Sequence, residues 1–390
     1  MAQKPRDEER IRKVTEAIKE DGLDALLCTL PSNVLMLSGY WPIIGNAIAL
    51  VSREGNVGVA VPEDEEQAAR QGWPNEVRTF QSGSLDELDN TLDAVQRPLR
   101  ELKQTLRLRG AKKIGFEGGP SFDPNGYASG FVYGYAIAGL LGKVFDSSEA
   151  VSTSDRLARL RATLTMRELE ALRCACGIAQ QAFLSTAPAI SPGMREFEIA
   201  ARFKQKLITG APENERCDGY AYCMSGENSA RAYAAFQHSG WRAIAPGDFV
   251  LLHCNSYCGG YWTDITRTFC AGHPDPEKSA IIEAVMNARL AAIAAVRPGV
   301  EASTVDRAAR QELTSRGFGK GFKHPTGHGV GFAAINHNAL PRIHPLSREK
   351  LEVGMVFNIE PAVYISKLGG MRHCDMIAVT ENGAEVLTPF

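Results

Sequence analysis

The stretch from residue 249 to 269, which reads FVLLHCNSYCGGYWTDITRTF, constrains the fold of this chain more than any other. An apolar run suited to a buried strand leads to a turn at Gly259-Gly260, and a second run rich in β-branched and aromatic residues follows. Two such runs around a glycine pair predict a β-hairpin. In a hairpin, His253 and Asp264 approach each other across the strands, either as two ligands offered to one point or as ordinary polar groups of a sheet.

The composition is that of an ordinary globular chain, with 390 residues, 44% hydrophobic and 23% charged, which favours two to three domains. A net charge of −2 argues against nucleic acid or an acidic membrane as a partner. No apolar run approaches the ~18 residues of a membrane helix, and the charged N-terminal segment lacks the apolar centre of a signal peptide. Nine cysteines without a CxxC pair indicate a reduced protein, so we expect a cytoplasmic location.

The pattern of strands and helices changes along the chain. Over the first part, short apolar runs that predict strands alternate with helical patterns, as in an α/β unit. The segment 146–165 is charged and polar and carries no strand signal. Beyond it, long helical patterns at 166–187 and about 194–208 precede the hairpin, which is typical of an α+β domain. The sequence therefore predicts two domains, 1–155 and 156–390.

Three further stretches carry groups that bind metals or move protons. Two imidazoles stand four residues apart in a glycine-rich run, a glutamate ends an apolar strand, and a histidine and a cysteine come directly before another strand; the stretches are 324–331, 354–361 and 371–375. Each alone is more often a structural feature than a functional one. Together they offer imidazole, carboxylate and thiolate groups at separate strand ends, which is how a metal site is assembled.

The motifs DITRTF (264–269), GHGVG (327–331), MVFNIEP (355–361) and MIAVTENGAEVLT (376–388) resemble those of the pita-bread-fold hydrolases. That family includes methionine aminopeptidase, prolidase, aminopeptidase P and creatinase. The first 150 residues, with PSNVLMLSGY at 31–40, are similar to the N-terminal domain of the creatinase and prolidase branch. The resemblance implies an α+β fold, in which a C-terminal pita-bread catalytic domain follows a smaller α/β creatinase-type domain.

The resemblance also implies a metal centre, and this chain departs from its usual form. The family's metallopeptidases hold two metal ions with two Asp, one His and two Glu residues. Asp264, His328 and Glu360 match three of these positions, whereas His253 and Cys374 stand where the other Asp and Glu belong. Both changes replace hard oxygen by softer nitrogen or sulfur, so we expect one divalent ion, zinc or iron rather than a manganese pair. The alternative is a centre without metal, in which these groups bind substrate directly.

The family's proton-handling and substrate-binding residues are carried over in the same way. As catalytic residues we predict His337, Glu360 and His324. As substrate-binding residues we predict His238, Tyr233 and Arg372. The resemblance further implies a homodimer.

The resulting hypothesis is a hydrolase of a peptide or amide C–N bond, similar to Xaa-Pro peptidases, that acts on a short peptide or another small molecule. One alternative is a metal-independent, creatinase-like hydrolase or lyase of a small nitrogen- or sulfur-containing metabolite. Another is a catalytically silent binding module. The retained Asp264, His328 and Glu360 count against the silent module, because such a copy has no reason to keep three ligand positions on separate strands.

Overall fold

The computed structural model describes residues 4–43, 46–81, 85, 88, 90–119, 134–213, 215–234, 239–333, 336 and 338–390. Its contacts divide the chain into two compact units, Met1–Arg161 and Ala162–Phe390. The domain boundary predicted at residue 155 lies within the helix Ser154–Ala162, close to this division. Among the described residues, no helix has the length and apolar character needed to span a bilayer.

The first unit is built on a mixed sheet. Its helices are α1 (Glu8–Glu20), α2 (Pro31–Ser38), α3 (Glu66–Gln71), α4 (Thr91–Ala94), α5 (Gln96–Thr105) and α6 (Tyr135–Val144), and α7 (Ser154–Ala162) runs up to the division. Its strands are β1 (Ala25–Cys28), β2 (Ile48–Ser52), β3 (Val57–Pro62), β4 (Glu76–Phe80), β5 (Lys113–Phe116) and β6 (Glu149–Ser152). They lie in the order β4-β3-β2-β1-β5-β6, with β1 antiparallel to β2 and parallel to β5. The predicted α/β character is confirmed.

The second unit carries its helices before and between smaller antiparallel sheets. The helices are α8 (Met166–Thr186), α9 (Glu196–Thr209), α10 (Pro276–Ala295) and α11 (Ala302–Ser315). The strands are β7 (Cys217–Ser225), β8 (Phe249–Cys258), β9 (Tyr261–Trp262), β10 (Ile265–Cys270), β11 (Val356–Ile359), β12 (Ala362–Ile365), β13 (Gly369–Arg372), β14 (Asp375–Thr380) and β15 (Gly383–Val386). They form the sheets β10-β8-β7, β11-β14-β15 and β12-β13, with β9 paired to β8. This is the predicted α+β arrangement.

Local sequence explains the main elements of this unit. Helix α8 begins at a capping box in which Thr165 and Glu168 satisfy each other's backbone N–H groups. Strand β8 is buried over almost its whole length, as its apolar run predicts. Apolar side chains of α10 and α11, such as Val285 and Val305, join Phe249 and other strand residues in one buried cluster. Helices α10 and α11 therefore pack against the strands that carry the candidate site residues.

Candidate metal centre

The predicted hairpin is confirmed, and it brings His253 and Asp264 together. In the ladder between β8 and β10, Thr266 lies opposite His253. Asp264 comes two residues earlier, between β9 and β10, and side chains two residues apart in a strand share one face. The Nδ1 atom of His253 therefore lies 3.9 Å from Oδ1 of Asp264, and both side chains are buried.

Two glycines place His328 against the same carboxylate. A Cβ atom at Gly327 would lie 1.8 Å from the backbone oxygen of Asn358, and one at Gly329 would lie 2.0 Å from that of Leu340. Only glycine permits this close approach of backbones. The His328 N–H donates to Asn358 Oδ1 at 2.7 Å, and its Nε2 atom lies 3.6 Å from Oδ2 of Asp264.

Glu360 and Cys374 reach the centre from paired strands. Glu360 follows β11 and Cys374 precedes β14, and these strands are antiparallel neighbours. Asp264, Glu360 and Cys374 each offer a ligand atom, the three atoms lie within 4.8 Å of one another, and all three residues are buried. The Cys374 thiol donates to the backbone oxygen of Asp264 at 3.1 Å. Side chains from three separate stretches of the sequence thus meet at one point.

The electrostatics of this point favour a cation. Burial and the nearby Asp264 carboxylate raise the pKa of Glu360 to about 8, although Arg372 acts in the opposite direction. Burial and the two carboxylates also raise the pKa of the Cys374 thiol well above its usual range. For Asp264, burial is outweighed by the neighbouring imidazoles and Arg372, which lower its pKa. A bound metal ion stabilises the ionised forms of acidic groups that would otherwise repel one another. This set of donors therefore fits a metal ion.

His253 lies beside the group of three rather than in it. Arg372 has no acceptor atom, so its Nη2 donates to Nδ1 of His253 at 3.1 Å, and Thr266 Oγ1 contacts the same nitrogen at 2.8 Å. Nε2 consequently carries the proton and donates to Asn255 Oδ1 at 3.0 Å. Burial lowers the pKa of His253 to about 4, which keeps the imidazole neutral at pH 7. Both ring nitrogens are engaged, so this geometry does not favour the predicted role of His253 as a ligand.

Arg372 is the buried cation of the centre. Besides His253, it donates to the hydroxyls of Tyr222 at 2.7 Å, Thr266 at 2.9 Å and Tyr364 at 3.4 Å. Its Nη1 atom lies 3.9 Å from Oε2 of Glu360. Arg372 is 3% exposed, so these contacts fix the guanidinium in place.

A cavity of about 570 Å³ opens onto these groups. Five of the predicted site residues line it, namely Tyr233, His324, His328, Glu360 and Arg372. The His324 ring contacts Tyr364, with Nε2 3.1 Å from the Tyr364 hydroxyl. The predicted His238 and His337 lie outside the described residues. Their roles stay predictions.

Several residues of the centre were not identified from the sequence. Thr266 lies two residues after Asp264, and Asn358 lies two residues before Glu360. The two-residue period of a strand could have predicted that each shares a face with its acidic neighbour. Arg342 and His344 line the cavity from a loop, and no periodic signal in the sequence marks them.

Comparison with known proteins gives a consistent result over both units. Residues 170–381 match the model of metallopeptidase family M24, and residues 10–123 match the creatinase/prolidase N-terminal domain. An Xaa-Pro dipeptidase of Pyrococcus furiosus is 30% identical over 380 residues, which cover 97% of this chain and 97% of that protein.

Solved structures agree with these matches. The prolidase of Pyrococcus horikoshii superposes with a TM-score of 0.77 at 27% identity, covering 97% of this chain and 98% of that one. An Xaa-Pro dipeptidase from Bacillus anthracis gives a TM-score of 0.79 at 26% identity and covers 98% and 97% of the two chains. These similarities confirm the pita-bread fold that the motifs predict.

Proposed function

Because the chain belongs to metallopeptidase family M24 and is a hydrolase of peptide C–N bonds, we propose that it works with a single divalent ion and cleaves Xaa-Pro peptides. Membership of this family implies a divalent metal cofactor. We propose that one ion is bound per chain and that the ion is zinc or iron. The observation that carries it is the buried meeting of Asp264, Glu360 and Cys374 within 4.8 Å. His328, 3.6 Å from Asp264, completes the ligand set.

Charge balance supports one ion rather than two. When ionised, Asp264, Glu360 and Cys374 carry three negative charges, and the buried Arg372 beside Glu360 carries one positive charge. One divalent ion makes the centre neutral, whereas two would leave a net charge of +2 in a buried site. Uncompensated charge is costly to bury, so the second ion is disfavoured.

The ligand types support zinc or iron. A thiolate and an imidazole are softer ligands than the carboxylates they accompany, and thiolate favours zinc and iron over manganese or magnesium. In this arrangement His253 acts as a positioning residue, because its neutral ring accepts from Arg372 and holds the guanidinium toward Glu360. At position 253 the family's ligand Asp is thus replaced by a His that supports Arg372 instead of binding metal.

The chain's own groups then divide the work of hydrolysis. When bound, the ion supplies Lewis-acid polarisation of the scissile carbonyl and lowers the pKa of a water molecule. Glu360 lines the cavity, and its carboxylate would accept a proton from that water molecule and return it to the leaving nitrogen. His324 and Tyr233 line the cavity, where they orient the substrate. Tyr364 supports both residues, because its hydroxyl contacts Nε2 of His324 and its ring packs against that of Tyr233.

Metal analysis of protein purified without added metal tests the ion number. We expect one zinc or iron ion per chain by elemental mass spectrometry. The variant carrying His253→Asp and Cys374→Glu restores the family's five oxygen and nitrogen ligands, and it should take up two manganese ions per chain. The same substitutions at exposed positions, His273→Asp and Cys174→Glu, serve as the matched control and should leave the content at one. Two ions in the unaltered protein would contradict the proposal.

Metal affinity should fall as the pH falls. Below pH 8, Glu360 of the metal-free protein holds a proton, and Cys374 with its raised pKa holds one as well. Both must leave when the ion binds, so affinity should weaken by about a hundredfold per pH unit below pH 8, tenfold for each proton. Competition with a chromogenic chelator at pH 6, 7 and 8 measures this slope. Glu360→Gln should reduce the slope to about tenfold per unit, and an affinity independent of pH would contradict the assignment.

Substrate class is tested with matched dipeptides. Relatives named Xaa-Pro dipeptidase support this choice of substrate. We expect kcat/KM for an Xaa-Pro dipeptide to exceed that for the corresponding Xaa-Ala dipeptide by at least about tenfold. A chelator should abolish the activity, and zinc or iron should restore it. Turnover that persists in metal-free protein would favour the creatinase-like reaction, and no amide hydrolysis at all would favour a binding module. The homodimer and the cytoplasmic location stay predictions, and light scattering of the purified chain checks the first.

A further inference from the structure

Three cysteines gather at the far end of the hairpin, away from the metal centre. Cys217 opens β7 and lies directly opposite Cys258, the last residue of β8. Cys174, on the exposed surface of α8, lies close enough to Cys258 for the two thiols to influence each other's ionisation. Cys258 is 6% exposed, and Cys217 is half-buried, so solvent reaches the group from the side of Cys217 and Cys174.

The strand ladder gives Cys217 and Cys258 a spacing suited to a disulfide. The backbone N–H of Gly259 donates to the oxygen of Arg216 at 3.0 Å. In an antiparallel ladder, a bond between the residues that flank a pair in this way marks the pair as non-hydrogen-bonded. Such pairs have Cα atoms about 4.5 Å apart and their side chains close together. A disulfide requires a Cα separation of about 4.4–6.8 Å, so the strands need not move to form one.

The two thiols are also chemically unequal. Their mutual hydrogen bond lowers the pKa of Cys217 and raises that of Cys258, so Cys217 is the better nucleophile of the pair. Partial burial raises the pKa of Cys174, which makes this exposed thiol less reactive. The accessible member of the facing pair is therefore also its more readily ionised member.

We propose that Cys217 and Cys258 form a reversible cross-strand disulfide by exchange with a small-molecule disulfide. The Cys217 thiolate attacks one sulfur of the oxidant, forms a mixed disulfide and expels one small thiolate. Cys258 then loses its proton and attacks the Cys217 sulfur, which closes the protein disulfide and expels the second small thiolate. The two protein thiols lose two electrons, the oxidant gains them, and the two protons end on the two small-molecule thiols.

The bond has a structural consequence that does not depend on catalysis. It joins the ends of β7 and β8 at the turn of Gly259-Gly260, which leads into Asp264. A cross-link between residues 217 and 258 closes a long loop and restricts the unfolded chain. The oxidised form should therefore unfold at a higher temperature than the reduced form, with or without metal.

Peptide mapping after treatment with oxidised glutathione tests this assignment. The folded, reduced protein is exposed to the oxidant, quenched in acid, alkylated and digested without reductant. We expect the peptide linked through Cys217 and Cys258 to be the main cross-link, to vanish on reduction with dithiothreitol, and to accompany a rise in the unfolding temperature. Cys217→Ser should remove the cross-link and the rise, whereas Cys270→Ser, at another half-buried cysteine, should change neither.

Three results would overturn the proposal. One is glutathione attached to Cys174 with no protein cross-link, and another is a main cross-link between Cys174 and Cys258. The third is a Cys217–Cys258 cross-link that leaves the unfolding temperature unchanged. Thermal unfolding of reduced Cys217→Ser shows that the variant is folded, so that a missing cross-link reflects the chemistry of the pair.

Discussion

The Asp264→Asn variant should lose about a thousandfold or more in kcat/KM while it keeps its fold. The Asp264 carboxylate lies within 4.8 Å of the ligand atoms of Glu360 and Cys374 and 3.6 Å from Nε2 of His328, so its charge acts on every other proposed ligand. Asparagine has the same shape but supplies a neutral, weaker ligand, and the ion should be held less tightly. Losing the ion removes the carbonyl polarisation and the activated water together, which is why the effect is large.

The measurement combines steady-state kinetics on an Xaa-Pro dipeptide with metal content and circular dichroism. Asp275→Asn is a suitable control, because Asp275 caps α10 on the surface and asparagine caps helices equally well. It should retain full activity and metal. A fully active Asp264→Asn enzyme would rule out the proposed centre, and an inactive variant that still holds its ion would show that Asp264 acts on the substrate instead.

The Asp375→Ala variant should lose about 3–5 kcal/mol of unfolding free energy, because it removes the fully buried carboxylate at the centre of an ion-pair network. Asp375 is 0% exposed and accepts from Arg267 at 2.8 Å and from the Thr388 hydroxyl at 2.9 Å. Arg289 contacts its other oxygen. Removing the carboxylate leaves two guanidinium groups in or near the core without their shared partner.

Urea unfolding in the presence of a chelator measures this loss without a contribution from metal. Glu312→Ala, which removes an exposed partner of Arg316, should cost about 1 kcal/mol or less. The pH dependence provides a second check. Burial opposes ionisation of Asp375, but His373, Arg267 and Arg289 outweigh it and hold its pKa well below the usual value. Its contribution is thus present above the unfolded pKa of about 3.9 and is lost as the pH falls below that value. Equal stabilities of variant and parent at pH 7 would contradict this role.

Sequence patterns predicted the hairpin and the glycine-rich run that carry part of the centre. The glycine pair and the β-rich runs predict the hairpin that carries Asp264, and the glycines around His328 mark a close approach of two backbones. The motifs then predict that these residues share a centre with Glu360 and Cys374, and the structure brings the four side chains together.

Other features depend on contacts that no local pattern records. The proton position of His253 follows from the guanidinium of Arg372, which is distant in sequence and arrives on another strand. The same holds for Tyr364, whose hydroxyl lies between His324 and Arg372. Arg342 and His344 reach the cavity from an irregular loop, where residue spacing carries no directional information.

Gly327 and Gly329, which flank His328, separate a tightly constrained part of the structure from an exposed one. On one side the close approach of backbones leaves no room for a side chain at either glycine, and it fixes the main chain that carries the imidazole. On the other side, the segment with Arg342, His344 and Leu346 faces the open cavity, and Leu346 is 82% exposed. Substitutions in that outer segment should therefore change the lining of the cavity while the backbone around His328 stays in place.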